Sequence, residues 1–360
     1  MKAAVYRVAG RLGIEEIPVP EVGPGELLVQ VEACGVCLTD VKKIEKGLLQ
    51  GPRVFGHEIA GRVARAGAGV VRFREGDRVV VHHHIPCGAC FFCERRVYAQ
   101  CEVYKRNGTT AGFEPSGGGF AQYVKAFDWI VDRGTIPVPQ GVLPEEASFV
   151  EPVNTCLKAV DKAGVEKGQT VLVVGQGPIG LILTQLCRRA GAEVLASDLL
   201  PDRLEAARRL GAAMAMGATG DVPGEVRRLT GGRGADAALL AAVGRAAFRQ
   251  AVDATRPGGR IVVFAATSPG ETVVVDLGAL SLAEKDVVTS YSASVDVQDL
   301  AADLVFGREV RVRELVTHRF PIEETAAAIA LAARPAPGVL KVMVEPRPGP
   351  VAAGSVGGAR

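Results

Sequence analysis

The chain has 360 residues, 48% of them hydrophobic, and a nearly balanced charge, with 42 lysines and arginines against 40 aspartates and glutamates. This composition excludes a disordered chain and predicts two globular domains, and the scattered basic residues give no sign of a nucleic-acid partner. No apolar run reaches the roughly 18 residues of a membrane span and the first residues contain no signal-peptide core, so we expect a cytoplasmic protein without a membrane partner.

The first part of the chain, up to about residue 150, is predicted to be β-rich. Its short valine-rich runs, such as ELLVQVEA and RVVVHHH, are separated by glycine and proline, which is typical of a small barrel or an open β-domain. The three histidines of the second run, 82–84, are interpreted as structural, because alternation along a strand sends neighbouring side chains to opposite faces.

Side chains that bind zinc occur at three places: Cys37 in GVCLTD, His57 and Glu58 in FGHEIAG, and Glu151 in FVEPV. A catalytic zinc binds three protein ligands and keeps a fourth position for water or substrate. A thiolate, an imidazole and a carboxylate would balance the charge of the ion and favour loss of an alcohol proton, with hydride transfer to a nicotinamide. These residues are dispersed in the sequence, and Cys37 alone fits a buried structural thiol equally well.

A second metal site is predicted in the segment CGACFFCERRVYAQC, where four cysteines follow the spacing C-x2-C-x2-C-x7-C. A reducing cytosol disfavours disulfides, which leaves metal binding as the leading interpretation. Four thiolates surround Zn²⁺ completely and leave no position for a substrate, so the site would be structural. An iron–sulfur cluster would use the same ligands, but nothing else suggests electron transfer. The ligands would be Cys87, Cys90, Cys93 and Cys101.

From about residue 152 to 292 the sequence alternates between strand and helix patterns. TVLVVG and EVLASD are apolar strand patterns, whereas PIGLILTQLCRRAGA and PDRLEAARRLGA have helical spacing and end near a glycine. This alternation predicts a parallel sheet with helices on both faces.

The first strand of this part leads into the pattern G-x-G-x-x-G, which is typical of dinucleotide binding in this context. The glycines let the backbone approach a pyrophosphate, and the following helix N-terminus favours its negative charge. Asp198 is expected to accept from ribose hydroxyls and to repel a 2′-phosphate, which favours NAD over NADP, while the nearby Arg203 weakens that preference. The motif residues assigned to the cofactor are Gly175, Gly177, Pro178, Ile179 and Gly180.

Beyond about residue 293 the sequence predicts two helices and the closing strand VLKVMVEP. The last residues, 347–360, are rich in proline, glycine and small side chains. We predict that this tail is disordered.

Taken together, these motifs resemble the zinc-containing medium-chain dehydrogenases, the family of alcohol, sorbitol and threonine dehydrogenases. The resemblance covers residues 1–346 and rests on GVCLTD, GHEIAG, GDRVVV, the four-cysteine segment, GGGFAQY, the Glu151–Pro152 pair, GQGPIG and LKVMV. It implies an α/β protein whose GroES-like β-rich catalytic domain (1–152 and 293–346, with a zinc lobe at 87–101) is interrupted by a doubly wound Rossmann domain (153–292). It also implies one catalytic and one structural zinc, a cleft between the domains, and a homodimer or homotetramer.

The resemblance also implies roles for single residues. Cys37 and His57 match the zinc-binding cysteine and histidine of the family. Glu151 stands where alcohol dehydrogenases have a cysteine ligand and polyol dehydrogenases a glutamate, and Glu58 competes with it as third ligand. We favour Glu151 slightly, with the other carboxylate reaching the metal through water.

Two further positions on the same segment match the family's proton relay and its support. Thr39 matches a hydroxyl that passes on the alcohol proton, since a hydroxyl can donate and accept at once. Asp40 matches a carboxylate that orients the histidine ligand. Lys42 stands where many members have the histidine that hands the proton to solvent, so the proton would leave through Lys42 or through water.

The sequence therefore predicts an NAD-linked zinc dehydrogenase acting on a secondary alcohol, a polyol or a sugar. A threonine 3-dehydrogenase and a simple alcohol dehydrogenase are the alternatives within the class. From other classes, a non-catalytic protein that binds NAD and zinc, or a zinc-free quinone reductase, is disfavoured because the complete set of ligand types is present.

Overall fold

The computed structural model describes residues 1–242, 244–265 and 270–346, so the predicted disordered tail at 347–360 lies outside the described residues. The strands, in chain order, are β1 (Lys2–Val8), β2 (Arg11–Glu16), β3 (Leu27–Gly35), β4 (Arg53–Val54), β5 (Glu58–Ala66), β6 (Arg78–Val81), β7 (Thr109–Thr110), β8 (Tyr123–Ala126), β9 (Thr135–Pro137), β10 (Thr170–Val174), β11 (Glu193–Asp198), β12 (Met214–Gly217), β13 (Ala235–Leu240), β14 (Thr255–Val263), β15 (Asp286–Thr289), β16 (Val316–Pro321) and β17 (Lys341–Glu345).

The α-helices lie between these strands, and several begin at a recognisable cap. They are α1 (Leu38–Lys46), α2 (Phe91–Glu94), α3 (Glu102–Lys105), α4 (Asp128–Gly134), α5 (Pro144–Ala147), α6 (Val150–Ala163), α7 (Pro178–Arg189), α8 (Pro201–Arg209), α9 (Val222–Leu229), α10 (Arg245–Ala254), α11 (Leu277–Leu282), α12 (Gln298–Phe306) and α13 (Thr325–Ala332). No helix in the described part of the chain has the length and apolar character needed to cross a membrane.

The middle of the chain forms a six-stranded parallel sheet in the order β12-β11-β10-β13-β14-β15. Helices cover both of its faces, because its strands carry apolar side chains on both sides. Leu181 of α7 packs with Val173 on one face, and Val226 of α9 packs with Leu172 on the other. Strand order reverses between β10 and β13, and ligands of such sheets bind in the crevice at the carboxyl ends of the strands flanking this point.

The first strands of the chain and its last two form a mostly antiparallel, curled sheet. Its order is β16-β17-β3-β5-β6-β9, with β8 also paired to β3 and β7, while β2, β1 and β4 form a small separate sheet. The core of this region includes fully buried Phe55, Ile59 and Phe120. The predicted α/β fold, a β-rich region together with a doubly wound parallel sheet, is therefore confirmed.

The boundaries between the two parts stay a prediction. Helix α6 runs across the predicted limit at residue 152 and packs against α7 and α12. The return connection after β15 is held to α6 by two buried hydrogen bonds. Asn154 donates to the Ser294 carbonyl oxygen at 3.0 Å, and the Ser294 amide donates to Asn154 Oδ1 at 2.8 Å.

Candidate active site

Three of the predicted metal ligands meet where β3 ends and β5 begins. Antiparallel pairing places Gly35 opposite Glu58, so Cys37, two residues beyond Gly35, lies near His57 and Glu58. The ligand atoms of these three side chains all lie within 4.8 Å of one another. His57 and Glu58 are buried, whereas Cys37 is partly exposed, so one side of the group can be reached from outside. A thiolate, an imidazole and a carboxylate at this spacing form a donor set that fits zinc.

The thiol of Cys37 caps the N-terminus of α1. The Thr39 amide donates to Cys37 Sγ at 3.5 Å, and the helix ends in a left-handed glycine, Gly47. Because the N-terminus of a helix carries partial positive charge, it stabilises negative charge on a ligand sulfur at this position. Thr39 itself is partly exposed in the first turn of α1, next to the metal ligand.

The carboxylate of Asp40 lies behind His57. Its Oδ2 is 3.0 Å from Nδ1 of His57, and Asp40 is fully buried. Burial alone would lower the pKa of His57, but the effects of Asp40 and Cys37 are larger and raise this pKa well above its usual value. Since Nδ1 faces Asp40, Nε2 is the nitrogen available to a metal.

Glu58 also faces a residue to which the sequence analysis gave no role, Lys341 of β17. The two side chains form a buried ion pair, and Lys341 Nζ donates to the Val36 carbonyl oxygen at 3.1 Å. Burial lowers the pKa of Lys341, but Glu58 and Cys37 outweigh this effect and raise it. The available signal was a single lysine within the apolar strand pattern VLKVMV.

Glu151 lies in the first turn of α6 and is buried. Burial and the nearby Glu58 raise the pKa of Glu151 to about 7, while His57 and Lys341 lower it. Within the described part of the chain, the group of close ligand atoms includes Glu58 but not Glu151. The structure thus places Glu58 close to Cys37 and His57, whereas the sequence analysis slightly favoured Glu151 as the third ligand.

The four cysteines of the predicted lobe also converge. The Sγ atoms of Cys101 and Cys87 are 3.6 Å apart, those of Cys90 and Cys93 are 3.6 Å apart, and those of Cys87 and Cys93 are 3.9 Å apart. A tetrahedron with Zn–S distances of about 2.3 Å has edges of about 3.8 Å. All four thiols are free of disulfides, so the geometry fits a four-thiolate zinc site.

The glycine motif forms the turn between β10 and α7, at the reversal point of the parallel sheet. Gly175 has a φ of +90°, which favours glycine, and a Cβ on Gly180 would clash with the Gly175 carbonyl oxygen. By contrast, a Cβ on Gly177 would meet nothing closer than Arg203 Nη1 at 3.6 Å. The space beside Gly177 is open and lies in front of the N-terminus of α7, whose first residues are Pro178 and Ile179. A pyrophosphate could approach the helix there.

Asp198 lies at the carboxyl end of β11, beside this turn. Its Oδ2 accepts from the Gln176 amide at 2.6 Å and its Oδ1 accepts from the Leu200 amide at 2.9 Å, which fixes the carboxylate in place. Arg203 of α8 donates to the Val339 carbonyl oxygen at 3.0 Å. Asp198 and Arg203 therefore both lie at the crevice of the sheet, close to the glycine turn.

The histidine run does not behave as the strand pattern predicts. Strand β6 ends at Val81, so alternation does not apply to residues 82–84. The centroid of the His83 ring lies 4.7 Å from that of the His57 ring. On its other side, His83 lies 4.0 Å from the His84 ring, which in turn lies 5.1 Å from the Tyr104 ring. Burial lowers the pKa of His83 well below its usual value.

Comparison with known proteins shows the family to which the chain is related. Residues 23–139 match a family model described as the alcohol dehydrogenase GroES-like domain, and residues 178–306 match one described as zinc-binding dehydrogenase. The chain is 30% identical over 354 residues to a sorbitol dehydrogenase of Bacillus subtilis strain 168, with 96% of this chain and 97% of the relative covered.

Two further relatives cover nearly all of the described fold. An alcohol dehydrogenase of Cupriavidus necator is 32% identical over 368 residues, with 96% of this chain and 99% of the relative covered. The solved structure of a protein described as a zinc-binding dehydrogenase of Sinorhizobium meliloti 1021, bound to NADP, is 30% identical and similar with a TM-score of 0.84, covering 96% of this chain and 99% of that one.

Proposed function

The chain belongs to the zinc-containing medium-chain dehydrogenase family, and we propose that it oxidises a secondary alcohol, a polyol or a sugar with NAD as hydride acceptor. As a member of this family, the protein is a zinc-dependent alcohol or polyol oxidoreductase. Its cofactor is a nicotinamide dinucleotide and its substrate a small-molecule alcohol. The choice of NAD, the two zinc ions, the roles of single residues and the oligomer belong to the proposal.

One observation above all supports this reaction: a short segment joins the cofactor crevice to the candidate metal group. The Val339 carbonyl oxygen accepts from Arg203 at the crevice, and Lys341 pairs with Glu58 at the metal group. Only one residue separates Val339 from Lys341, so the Cα atoms of the two residues are at most about 7 Å apart. A substrate bound at the metal would thus lie near a nicotinamide held by the glycine turn.

The catalytic zinc would be held by Cys37, His57 and one carboxylate. Glu58 is closest in the present arrangement, and Glu151 is the alternative. When bound, zinc would supply Lewis acidity that favours loss of the alcohol proton. Asp40 fixes the orientation of the His57 ring, and the buried surroundings of these ligands limit the access of water.

The proton from the alcohol would leave through Thr39. Its side chain lies in the first turn of α1, next to Cys37, and a hydroxyl can accept one proton while donating another. From there the proton reaches solvent through Lys42, on the same helix, or through water.

The second zinc would be structural and held by the four-cysteine lobe. The buried cluster formed by the lobe and the helix that follows it contains only Cys93, Ala99, Cys101 and Tyr104, two of which are candidate metal ligands. Such a small core cannot order the segment by itself, so the ion would supply most of the order.

Asp198 is expected to select NAD. Replacing Asp198 by asparagine removes the negative charge that would face a 2′-phosphate but keeps an acceptor for one of the two backbone amides. The ratio of kcat/KM with NAD to that with NADP should fall by about tenfold, measured from initial rates. The control is Asp221→Asn, which caps α9 by accepting from Gly224 and should leave the ratio unchanged. An unchanged ratio in Asp198→Asn would contradict this role.

The glycine turn offers a matched pair of substitutions. Gly177→Ala adds a methyl group to open space beside the helix N-terminus, so NAD affinity should fall by about tenfold or more while the melting temperature stays close to that of the wild type. Gly180→Ala adds a methyl group against the Gly175 carbonyl oxygen and should lower the melting temperature by several degrees, since overpacking costs about 1–3 kcal/mol. Calorimetry of NAD binding and thermal unfolding separate the two effects. Equal NAD affinity in Gly177→Ala and the wild type would contradict the proposed pyrophosphate position.

An exposed apolar surface supports the expectation of a homodimer or homotetramer. Strand β15 is an edge strand, and Leu282 of the preceding helix is 92% exposed, as Val274 is at 91%. Exposed edges and apolar patches of this kind favour association between chains. In sedimentation experiments, Leu282→Lys should shift the protein towards smaller species, whereas the equally exposed Val71→Lys in the other sheet region should not. A monomeric wild type would contradict the proposal.

The function itself is tested by following NAD reduction with a panel of secondary alcohols, polyols, sugars and threonine, before and after removal of metal by a chelator. We expect turnover with a secondary alcohol, polyol or sugar, its loss on metal removal and its recovery with zinc. Preferred turnover of threonine or of a primary alcohol would place the chain with the alternatives in the class. Tight NAD binding and bound zinc without turnover of any compound would indicate a non-catalytic protein.

A further inference from the structure

A row of four rings leads away from the candidate metal group. His57, His83, His84 and Tyr104 follow one another at centroid distances of 4.7, 4.0 and 5.1 Å. The far end is anchored, because the Tyr104 hydroxyl lies 2.7 Å from Ser292 Oγ and donates to the Ala293 carbonyl oxygen at 3.2 Å. The row therefore has a fixed end and an end at the metal group.

The backbone at His83 is also held in place. The His82 amide donates to the Gly134 carbonyl oxygen at 2.8 Å, and the Gly108 amide donates to the His83 carbonyl oxygen at 2.9 Å. These bonds fix the backbone that carries the His83 ring, which lies beside His57. A side chain on a fixed backbone can act as a recognition group.

The His83 ring has a polar atom that is not used within the described fold. Its Nδ1 is buried without a hydrogen-bond partner among the described residues, while the residue as a whole is only partly buried. The neighbouring His84 differs, since its Nδ1 lies 3.4 Å from the Arg106 carbonyl oxygen. Buried polar groups in proteins normally have a partner, so an unpaired ring next to a candidate active site indicates a position that a ligand completes.

We propose that His83 is a specificity-determining residue that hydrogen-bonds a second hydroxyl of the substrate, next to the one that is oxidised. This inference rests on the proposed function. An imidazole can donate to a hydroxyl or accept from it, and the His83 ring lies 4.7 Å from the ring of the candidate ligand His57, so it would lie beside an alcohol bound at that group. The enzyme would accordingly prefer vicinal diols and polyols to monoalcohols of the same size.

The test compares 2,3-butanediol with 2-butanol, which differ by one hydroxyl. In wild type we expect a higher kcat/KM for the diol, and in His83→Phe the ratio of diol to monoalcohol should fall by about tenfold, because a phenyl ring keeps the packing but not the hydrogen bond. His83→Gln, which restores a donor and an acceptor, should recover part of the ratio. Thermal stabilisation of the NADH complex by each alcohol gives a second readout that does not depend on turnover.

His84→Phe is the matched control, because its ring belongs to the same row but already faces a backbone carbonyl. The proposal is overturned if the ratio is the same in wild type and His83→Phe, or if His84→Phe lowers it equally, which would assign the effect to packing of the row. Should His83→Phe fail to fold, wild type and His83→Gln are compared instead: part of the diol preference should remain in His83→Gln, and equal kcat/KM for the diol and the monoalcohol in that variant would contradict the proposal. Failure of wild type to oxidise either alcohol, or any other on the panel, would instead contradict the proposed function.

Discussion

Replacing Cys37 by alanine is expected to reduce alcohol oxidation by about a thousandfold or more, while NAD affinity changes by less than about threefold. The sulfur of Cys37, at the N-terminus of α1, is the one sulfur of the candidate catalytic group. Metal catalysis contributes several kcal/mol to the lowering of the barrier, and each 1.4 kcal/mol is about a factor of ten in rate. The cofactor contacts lie in the parallel sheet and do not involve Cys37. Initial rates and calorimetric NAD titration measure the two quantities.

A second cysteine variant controls for general effects of removing a thiol. Cys187 is buried in α7 and lies in the core of the parallel-sheet region, outside both groups of candidate ligands. Cys187→Ala should keep turnover and metal content, with a small loss of stability from the cavity. Substantial turnover by Cys37→Ala would show that the reaction does not depend on a metal held by this residue.

Replacing Cys101 by serine should have the largest effect on stability. The residue is 1% exposed and belongs to a buried cluster of only four side chains, so losing the metal removes most of what orders the lobe. Structural zinc contributes up to about 10–16 kcal/mol in small zinc domains, and we expect a fall in melting temperature of about 10 °C or more. Proteolysis within residues 87–101 should become faster, and zinc content should fall by one per chain.

The control for the lobe is Tyr98→Phe. It removes the hydrogen bond from Tyr98 to Asp296 at 3.0 Å, one of the contacts that join the lobe to the return connection, but it touches no candidate ligand. Zinc content and melting temperature should stay close to those of the wild type. If Cys101→Ser retains both zinc and the wild-type melting temperature, the lobe is not a metal site.

Local patterns in the sequence predicted most of the fold. The strand before Gly175, the helix after it and Asp198 at the end of the next strand are defined by short-range periodicity and turn chemistry, and the structure has them in that order. The four-cysteine spacing works for the same reason, since one loop can wrap a single ion. These features need little information from distant parts of the chain.

Residues that act through long-range contacts were harder to predict from the sequence. Lys341 reaches Glu58 only because β17 pairs with β3, and no local pattern announces that pairing. The competition between Glu58 and Glu151 likewise depends on side-chain positions that no local pattern defines. The interpretation of residues 82–84 relied on strand alternation past Val81, where β6 ends, so it did not anticipate the contact between the His83 and His57 rings.

The central claim is that a metal held by Cys37 and His57 lies beside a nicotinamide cofactor bound at the glycine turn. A crystal structure with NAD, with anomalous scattering recorded at the zinc absorption edge, tests it most directly. The account predicts two zinc peaks per chain, one among the lobe cysteines and one bonded to Cys37, His57 and a single glutamate, with the nicotinamide ring alongside. A map with a peak in the lobe alone, and with Cys37 and His57 packed together without metal, would contradict it.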